Sequence, residues 1–327
     1  MKLRSVYLLA LIIVLLCVIF AVISGAYPLS GHQLLALLVS QEGVSLQDRL
    51  VFWQIRLPRI LAALLIGAAL AGAGTTYQAM FRNPLVSPDI LGVSAGAGLG
   101  ACAAILFSLP MLLIQLCAFG GGMLVVTAVW LIARRVSCRD PVMTLVLIGI
   151  ALSTVCGAGI SLIKTLADPY TQLPSITFWL LGGLSGITLQ DLEFSAPPIV
   201  LGIVPLLLLR WRINLLTLSD DEARSLGISP GRLRFGLAVC ATLITASSVA
   251  IAGVVGWVGL VVPHIGRLLI GSNHQQLQPV AMGIGAILLL LTDTLARAVS
   301  NTEIPLGILT AFIGAPFFLL LLLRRTH

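Results

Sequence analysis

Residues 60–80 read ILAALLIGAALAGAGTTYQAM. No side chain in this run is charged, and at 1.5 Å per residue a helix of this length crosses the roughly 30 Å hydrocarbon core of a bilayer. There is no alternation of period two, which excludes a barrel strand, and lipid offers no partner to a bare backbone, so the run must close its hydrogen bonds internally as a helix. The same texture recurs on both sides of it. The 327-residue chain is 58% hydrophobic and only 9% charged, with a mean hydropathy of +1.09, whereas soluble domains carry about 25% charged residues. An all-α, polytopic membrane bundle follows. The net charge of +7 is then a topology signal and implies no nucleic-acid partner. Six cysteines (Cys17, Cys102, Cys117, Cys138, Cys156 and Cys240) lie in apolar context without a CxxC or Cys/His pairing; they read as free thiols, and no metal or cofactor is expected.

Ten spans are predicted, near residues 6–23, 60–80, 90–109, 112–133, 142–163, 194–209, 235–255, 256–271, 279–299 and 306–323. The first follows Lys2 and Arg4 and is too long for a signal-peptide h-region, so it reads as uncleaved. Arg56-Leu57-Pro58-Arg59 opens the second, proline being suited to a helix entrance. Residues 27–55 read as an external segment with an amphipathic helix around His32 to Val39. In the third span Gly96, Gly98 and Ala101 loosely match a dinucleotide fingerprint, but no strand precedes them, so close helix packing is the better account. Residues 174–186, PSITFWLLGGLSG, are apolar yet too short to cross; they either line a cavity or lie at the interface with Trp179 as an anchor. The eighth run is broken by glycine and by Pro263. On this topology 14 of the 19 basic residues fall on one side, and only Arg49, Arg56, Arg59, Lys164 and Arg297 on the other. The bias places both termini in the cytoplasm.

The longest polar interruption is Asn214 to Ile228, NLLTLSDDEARSLGI, between the sixth and seventh spans. Its acidic run, Asp220 to Glu222, stands against a basic cytoplasmic background, so it reads as short helices on the membrane surface that dock a protein. Signatures of chemistry are scarce. There is no GxxxxGK[ST], HExxH or GxSxG motif, so no ATPase site of the chain's own and no common hydrolase is indicated. His264 and Asp293 are the intramembrane acid–base candidates. Asp293, costly in lipid, should face the bundle interior with Arg297 as an i,i+4 partner, in an ion pair or in a proton relay. The relay would make the chain an ion-coupled secondary transporter. Arg56 and Arg59 share one helix face at the outer end of the second span, either as snorkelling anchors or as a basic patch for an acidic partner that Arg297 could join.

These residues also carry a family resemblance. RLPR at Arg56 to Arg59, FRNPLVSPDILGVSAGAG at Phe81 to Gly98, FWLLGGLSG at Phe178 to Gly186, NLLTLSDDEARSLGI, AGVVGWVGLVVPHIGRLLIG at Ala252 to Gly271, DTLAR at Asp293 to Arg297 and EIPLGILTAFIGAPFFLLLL at Glu303 to Leu322 together resemble the permease subunits of bacterial ABC importers of the FecCD type, which carry iron chelates, haem or vitamin B12. The likeness spans almost the whole chain. It implies one permease domain over 1–327 with the vitamin B12-permease-like, type II importer architecture: ten helices per subunit, paired with a second permease subunit around a central pathway in the bacterial inner membrane. It implies that a loop over about 211–233 seats on a cytoplasmic ABC ATPase dimer through Leu218, Asp220, Asp221, Glu222, Ala223, Arg224, Leu226 and Gly227. It implies that Arg56, Arg59 and Arg297 receive glutamates of a periplasmic or lipid-anchored substrate-binding protein, and that Phe178 to Ser185 belong to a short helix lining the pathway. Ser153, Thr154, Ser161, Lys164, Thr165 and Thr177 are the mildly polar pathway candidates alongside Phe178 and Ser185. An iron–siderophore complex or haem is the expected cargo; vitamin B12 and an oxyanion such as molybdate are the alternatives. Where relatives often carry an alcohol-rich turn before the fifth span, this chain has Asp140-Pro141-Val142-Met143, which leaves its gate residues unassigned.

Overall fold

A computed structural model describes residues 3–25, 27, 30–39, 45–136, 141–299 and 303–324. Lys2, Cys138, Arg139, Asp140, Asn301 and Arg325, named above, lie outside the described residues. In chain order the helices are α1 (Leu3–Ile23), α2 (Gly31–Val39), α3 (Leu46–Leu50), α4 (Leu57–Met80), α5 (Val93–Leu106), α6 (Met111–Arg135), α7 (Pro141–Leu166), α8 (Gln172–Leu181), α9 (Leu189–Leu208), α10 (Arg210–Leu216), α11 (Asp220–Ser225), α12 (Pro230–Ala252), α13 (Val258–Ile270), α14 (His274–Ala298) and α15 (Leu306–Arg324). Among the described residues six helical segments are long and apolar enough to cross a membrane: 46–80, α6, 142–166 of α7, α9, α12 and α14. Shorter apolar helices occupy the other four expected spans, at Ile12–Ile23, Val93–Leu106, Val258–Ile270 and Leu306–Leu320.

Two expectations are corrected. Pro58 does not start the second span: α3 runs into α4 through a π-helical turn, Val51–Arg56, making one helical rod of 35 residues. The cause is the proline itself. It lacks an N–H and crowds the carbonyl one turn back, and the widened turn absorbs this, with the Leu57 N–H reaching five residues back to the Phe52 carbonyl. Nor does Pro263 break the eighth span. α13 runs through it, and the break falls earlier, at 253–257, where Gly253 and Trp257 take φ of +65° and +68°.

α4 is the hub, packed on α12, α13 and α14. Small residues decide how closely. A Cβ placed on Gly67 would lie 2.3 Å from the Gly285 carbonyl oxygen, and one on Gly285 would lie 2.3 Å from that of Gly67, so α4 and α14 touch backbone to backbone. The α4–α13 contact has a related logic. Pro263 leaves the Gly259 carbonyl without its usual donor, and that oxygen lies 1.9 Å from where a Gly74 side chain would begin. The glycine-rich start of α5 serves the packing expected of it, Gly96 lying against Gly121 of α6. Burial is uneven: 72% of the most apolar window is buried in α4 and in α12, against 11% in α7. The bundle thus has a dense spine and a bare flank.

Candidate functional site

At the end of the spine where α9 stops, the chain turns through α10 and α11. Ser219 caps α11: its hydroxyl accepts from the Glu222 N–H while the Glu222 carboxylate accepts from the Ser219 N–H at 2.9 Å, a reciprocal cap. Asp220 bridges three elements. Its carboxylate accepts from Arg234 of α12 at 2.6 and 2.8 Å and from Arg82, just after α4, at 2.6 Å. Arg82 also donates to the Leu216 carbonyl at 2.9 Å. The two guanidinium groups, Arg234 foremost, hold the Asp220 carboxyl down to about 2. A second fastening joins α10 to α14: the Asn214 side-chain oxygen accepts the His274 N–H at 2.8 Å and its amide donates to Asn273 at 2.9 Å. Ala223 is buried beneath α11 and Gly227 ends it with φ +78°. Outward and free of these fastenings are Leu218, Leu226, Asp221 and Arg224, the last two paired at 3.0 Å.

Of the expected acidic run, Asp221 and Glu222 are exposed, Asp221 paired with Arg224 on the surface and Glu222 held by the cap. Asp220 is spent on the bundle and Glu222 on the cap. The Ser-x-x-Glu pattern at 219–222 announces the cap in the sequence. Nothing local announces that Arg82, 138 residues away, and Arg234 converge on Asp220.

At the opposite end of the same helices the three arginines do come together, but not as an exposed patch. Arg56, Arg59 and Arg297 retain 3%, 5% and 9% exposure. Arg59 meets Asp293 through Nε and Glu303 through Nη1, each at 2.7 Å. Arg297 meets Asp293 at 3.2 Å, as the i,i+4 spacing predicts, and donates to the Ala21 and Ser24 carbonyls. Arg56 donates to the Val22 and Tyr27 carbonyls. Two of the three thus close the C-terminal carbonyls of α1, where cations are favoured. Asp293 has no exposure, while the Glu303 side chain keeps 40%. Sequence spacing cannot reveal this burial, because it comes from α1 folding over the cluster.

The pathway candidates lie on the bare flank. On α7, Thr154, Ser161 and Thr165 are exposed along one helical stripe, Ser153 and Lys164 are half-buried beside it, and each hydroxyl donates back to the carbonyl four residues earlier. Thr177 and Phe178 are exposed on α8, and Ser185 follows in the loop. Lys164 makes no ion pair among the described residues. A cavity of about 670 Å³ is lined instead by apolar residues of α8, the 253–257 turn and α15, among them Leu181, Trp257, Phe312 and Pro316; none of the candidates lines it.

A rod-like hub, a two-helix platform fastened beneath it and an exposed flank are thus the parts of this membrane helical bundle. The FecCD transport family model matches residues 12–324, and the chain belongs to that family, which consists of permease subunits of ABC importers. It is 44% identical to the molybdate import system permease protein MolB of Haemophilus influenzae, over 93% of this chain and 92% of that one. It is 39% identical to the Fe(3+)-citrate import system permease protein YfmE of Bacillus subtilis, over 98% and 95%. A solved structure of a metal-chelate type ABC transporter in an inward-facing conformation superposes with a TM-score of 0.88 at 37% identity, covering 98% of both chains.

Proposed function

We propose that this chain, as one domain over 1–327, is the membrane subunit of an inner-membrane importer for an iron chelate, a siderophore complex or haem, with both termini in the cytoplasm. A separate ABC ATPase dimer supplies the energy and a periplasmic or lipid-anchored binding protein delivers the cargo. A second permease subunit completes the pathway between bare flanks. The observation that carries this reading is the α10–α11 platform: pinned to α4, α12 and α14 from beneath, it passes a push on Leu218, Leu226, Asp221 and Arg224 into the spine, as an alternating-access bundle requires. Phe178 and the hydroxyls of α7 and α8 face the pathway, where Lys164 is the basic residue that suits an anionic cargo.

Docking of the binding protein at Arg56, Arg59 and Arg297 carries a condition. Glu303 already occupies Arg59, so an incoming glutamate must exchange with it. A second reading, molybdate as cargo, is favoured by the 44% identity to MolB. Proteoliposomes holding permease, ATPase and binding protein decide between them. ATP-driven accumulation of radioactive iron chelate, unaffected by excess molybdate, is expected. Accumulation of molybdate alone would replace the first reading with the second, and uptake driven by a pH gradient without ATP would overturn both.

A further inference from the structure

Between α6 and α12 lies a groove of about 160 Å³ unconnected with the platform, the arginine cluster or α7. Met123, Val126 and Val239 form its apolar walls, and Trp130, Phe235 and Arg134 stand at the end where α6 finishes and α12 begins. Its hydroxyls are satisfied: Thr127 donates to the Met123 carbonyl, and Thr242 is hydrogen-bonded to Tyr77. Two donors are not. The Trp130 indole nitrogen is buried with no acceptor among the described residues. The Arg134 guanidinium, stacked over the Phe235 ring at 5.1 Å, is exposed and has no carboxylate partner among them. An apolar slot that ends in an unpaired cation and an unused N–H donor is complementary to a hydrocarbon chain with an anion at its head.

We propose that this groove binds one anionic phospholipid, its acyl chain along Met123, Val126 and Val239, its phosphate on Arg134, and an ester or phosphate oxygen accepting from Trp130. The occupant follows from the surroundings. α6 and α12 both cross the bilayer, so hydrocarbon chains are what the slot meets, and Arg134 lies at headgroup depth, at the terminus of its span. Among the described residues no Asp or Glu lines the groove, so none of them compensates the ammonium of choline or ethanolamine, and a headgroup of net negative charge is preferred. The inference rests on the proposed orientation only for the leaflet, which is the cytoplasmic one.

The test uses the full-length permease in complex with its ATPase, exchanged into detergent with phosphatidylglycerol or phosphatidylcholine and analysed for retained lipid by native mass spectrometry. Wild type should retain phosphatidylglycerol over phosphatidylcholine. Arg134→Gln should lower its occupancy about fivefold, the weight of one basic residue at an anionic headgroup, while Arg135→Gln, exposed and outside the groove, should not. Val239→Trp should fill the slot and expel the lipid with the complex intact, and Trp130→Phe should weaken retention with no change in charge. Equal retention of the two lipids, equal loss from both arginine variants, or undiminished retention in Val239→Trp would overturn the proposal. So would a change of oligomeric state in Val239→Trp, which would mean that a second copy covers this face.

Discussion

Asp293→Asn removes one negative charge from a site that has no exposure, with Arg59 at 2.7 Å and Arg297 at 3.2 Å on either side. The change is nearly isosteric, so packing is kept and the electrostatic consequence stands alone. Three buried arginines would be left with Glu303 as their remaining carboxylate. Breaking a buried pair from one side costs about 3–5 kcal/mol, because the partner stays desolvated and uncompensated. Removing both charges costs less than the sum, so Arg297→Gln added to Asp293→Asn should recover roughly 1–3 kcal/mol. Denaturant unfolding in detergent, followed by tryptophan fluorescence, measures all four corners of this cycle. The expected pattern is a large loss in Asp293→Asn, partial recovery in the double variant, and uptake that tracks the amount of folded complex. A single variant within about 1 kcal/mol of wild type, additive losses in the double, or abolished uptake at wild-type stability would refute the structural role. The last outcome would restore Asp293 as an ion-coupling carboxyl.

Asp220→Ala should release α11 and leave Arg234 without its carboxylate, so that the ATPase no longer copurifies; the carboxyl, held at about 2 against an ordinary value near 3.9, contributes stability that is full above about pH 4 and is lost as pH falls towards 2. The shift corresponds to roughly 2.5 kcal/mol, reduced by solvent screening at this third-exposed group to about 1–1.5 kcal/mol, and the variant's acid unfolding should lack that limb between pH 4 and 2. Gly67→Ala pushes a methyl to 2.3 Å from the Gly285 carbonyl and should cost about 1–3 kcal/mol in the same unfolding assay, whereas Gly120→Ala, with nothing within 4 Å, should be neutral. Charge reversal at Arg56 and Arg59 would unfold these buried positions, so the docking assignment is better tested by Glu303→Gln: capture of the binding protein, measured by surface plasmon resonance, should strengthen several-fold, and unchanged or weaker capture counts against exchange at Arg59. Lys164→Gln should lower uptake of an anionic cargo at unchanged assembly; equal uptake would remove Lys164 from the pathway.

The bundle was legible because lipid simplifies the rules. An uncharged run such as 60–80 has one way to satisfy its backbone, and the apolar helices fall where hydropathy puts them. Local chemistry was legible too, in the Asp293 and Arg297 spacing and in the Ser219 cap. What escaped were convergences over long chain separations, namely Asp220 with Arg82 and Arg234, and Arg59 with Asp293 and Glu303. Each joins residues that share no period, and the charge of an arginine is the same in the sequence whether it faces water or a buried carboxylate. The Pro58 and Pro263 corrections have another source. Proline marks where a helix loses a hydrogen bond, but whether the helix ends there depends on what receives the stranded carbonyl, a wider turn in one case and the space above Gly74 in the other.

The contrast between spine and flank bears on how such a subunit diversifies. Where α4 meets α14, a single added methyl collides with main chain, so neither Gly67 nor Gly285 admits a larger side chain without moving a helix. Along α7 the exposed stripe has no internal neighbour to offend, and exchanging Thr154, Ser161 or Thr165 leaves folding nearly untouched. Substitutions on that stripe therefore change the chemistry of the exposed face without passing through misfolded intermediates, while the spine that holds the fold is left as it is.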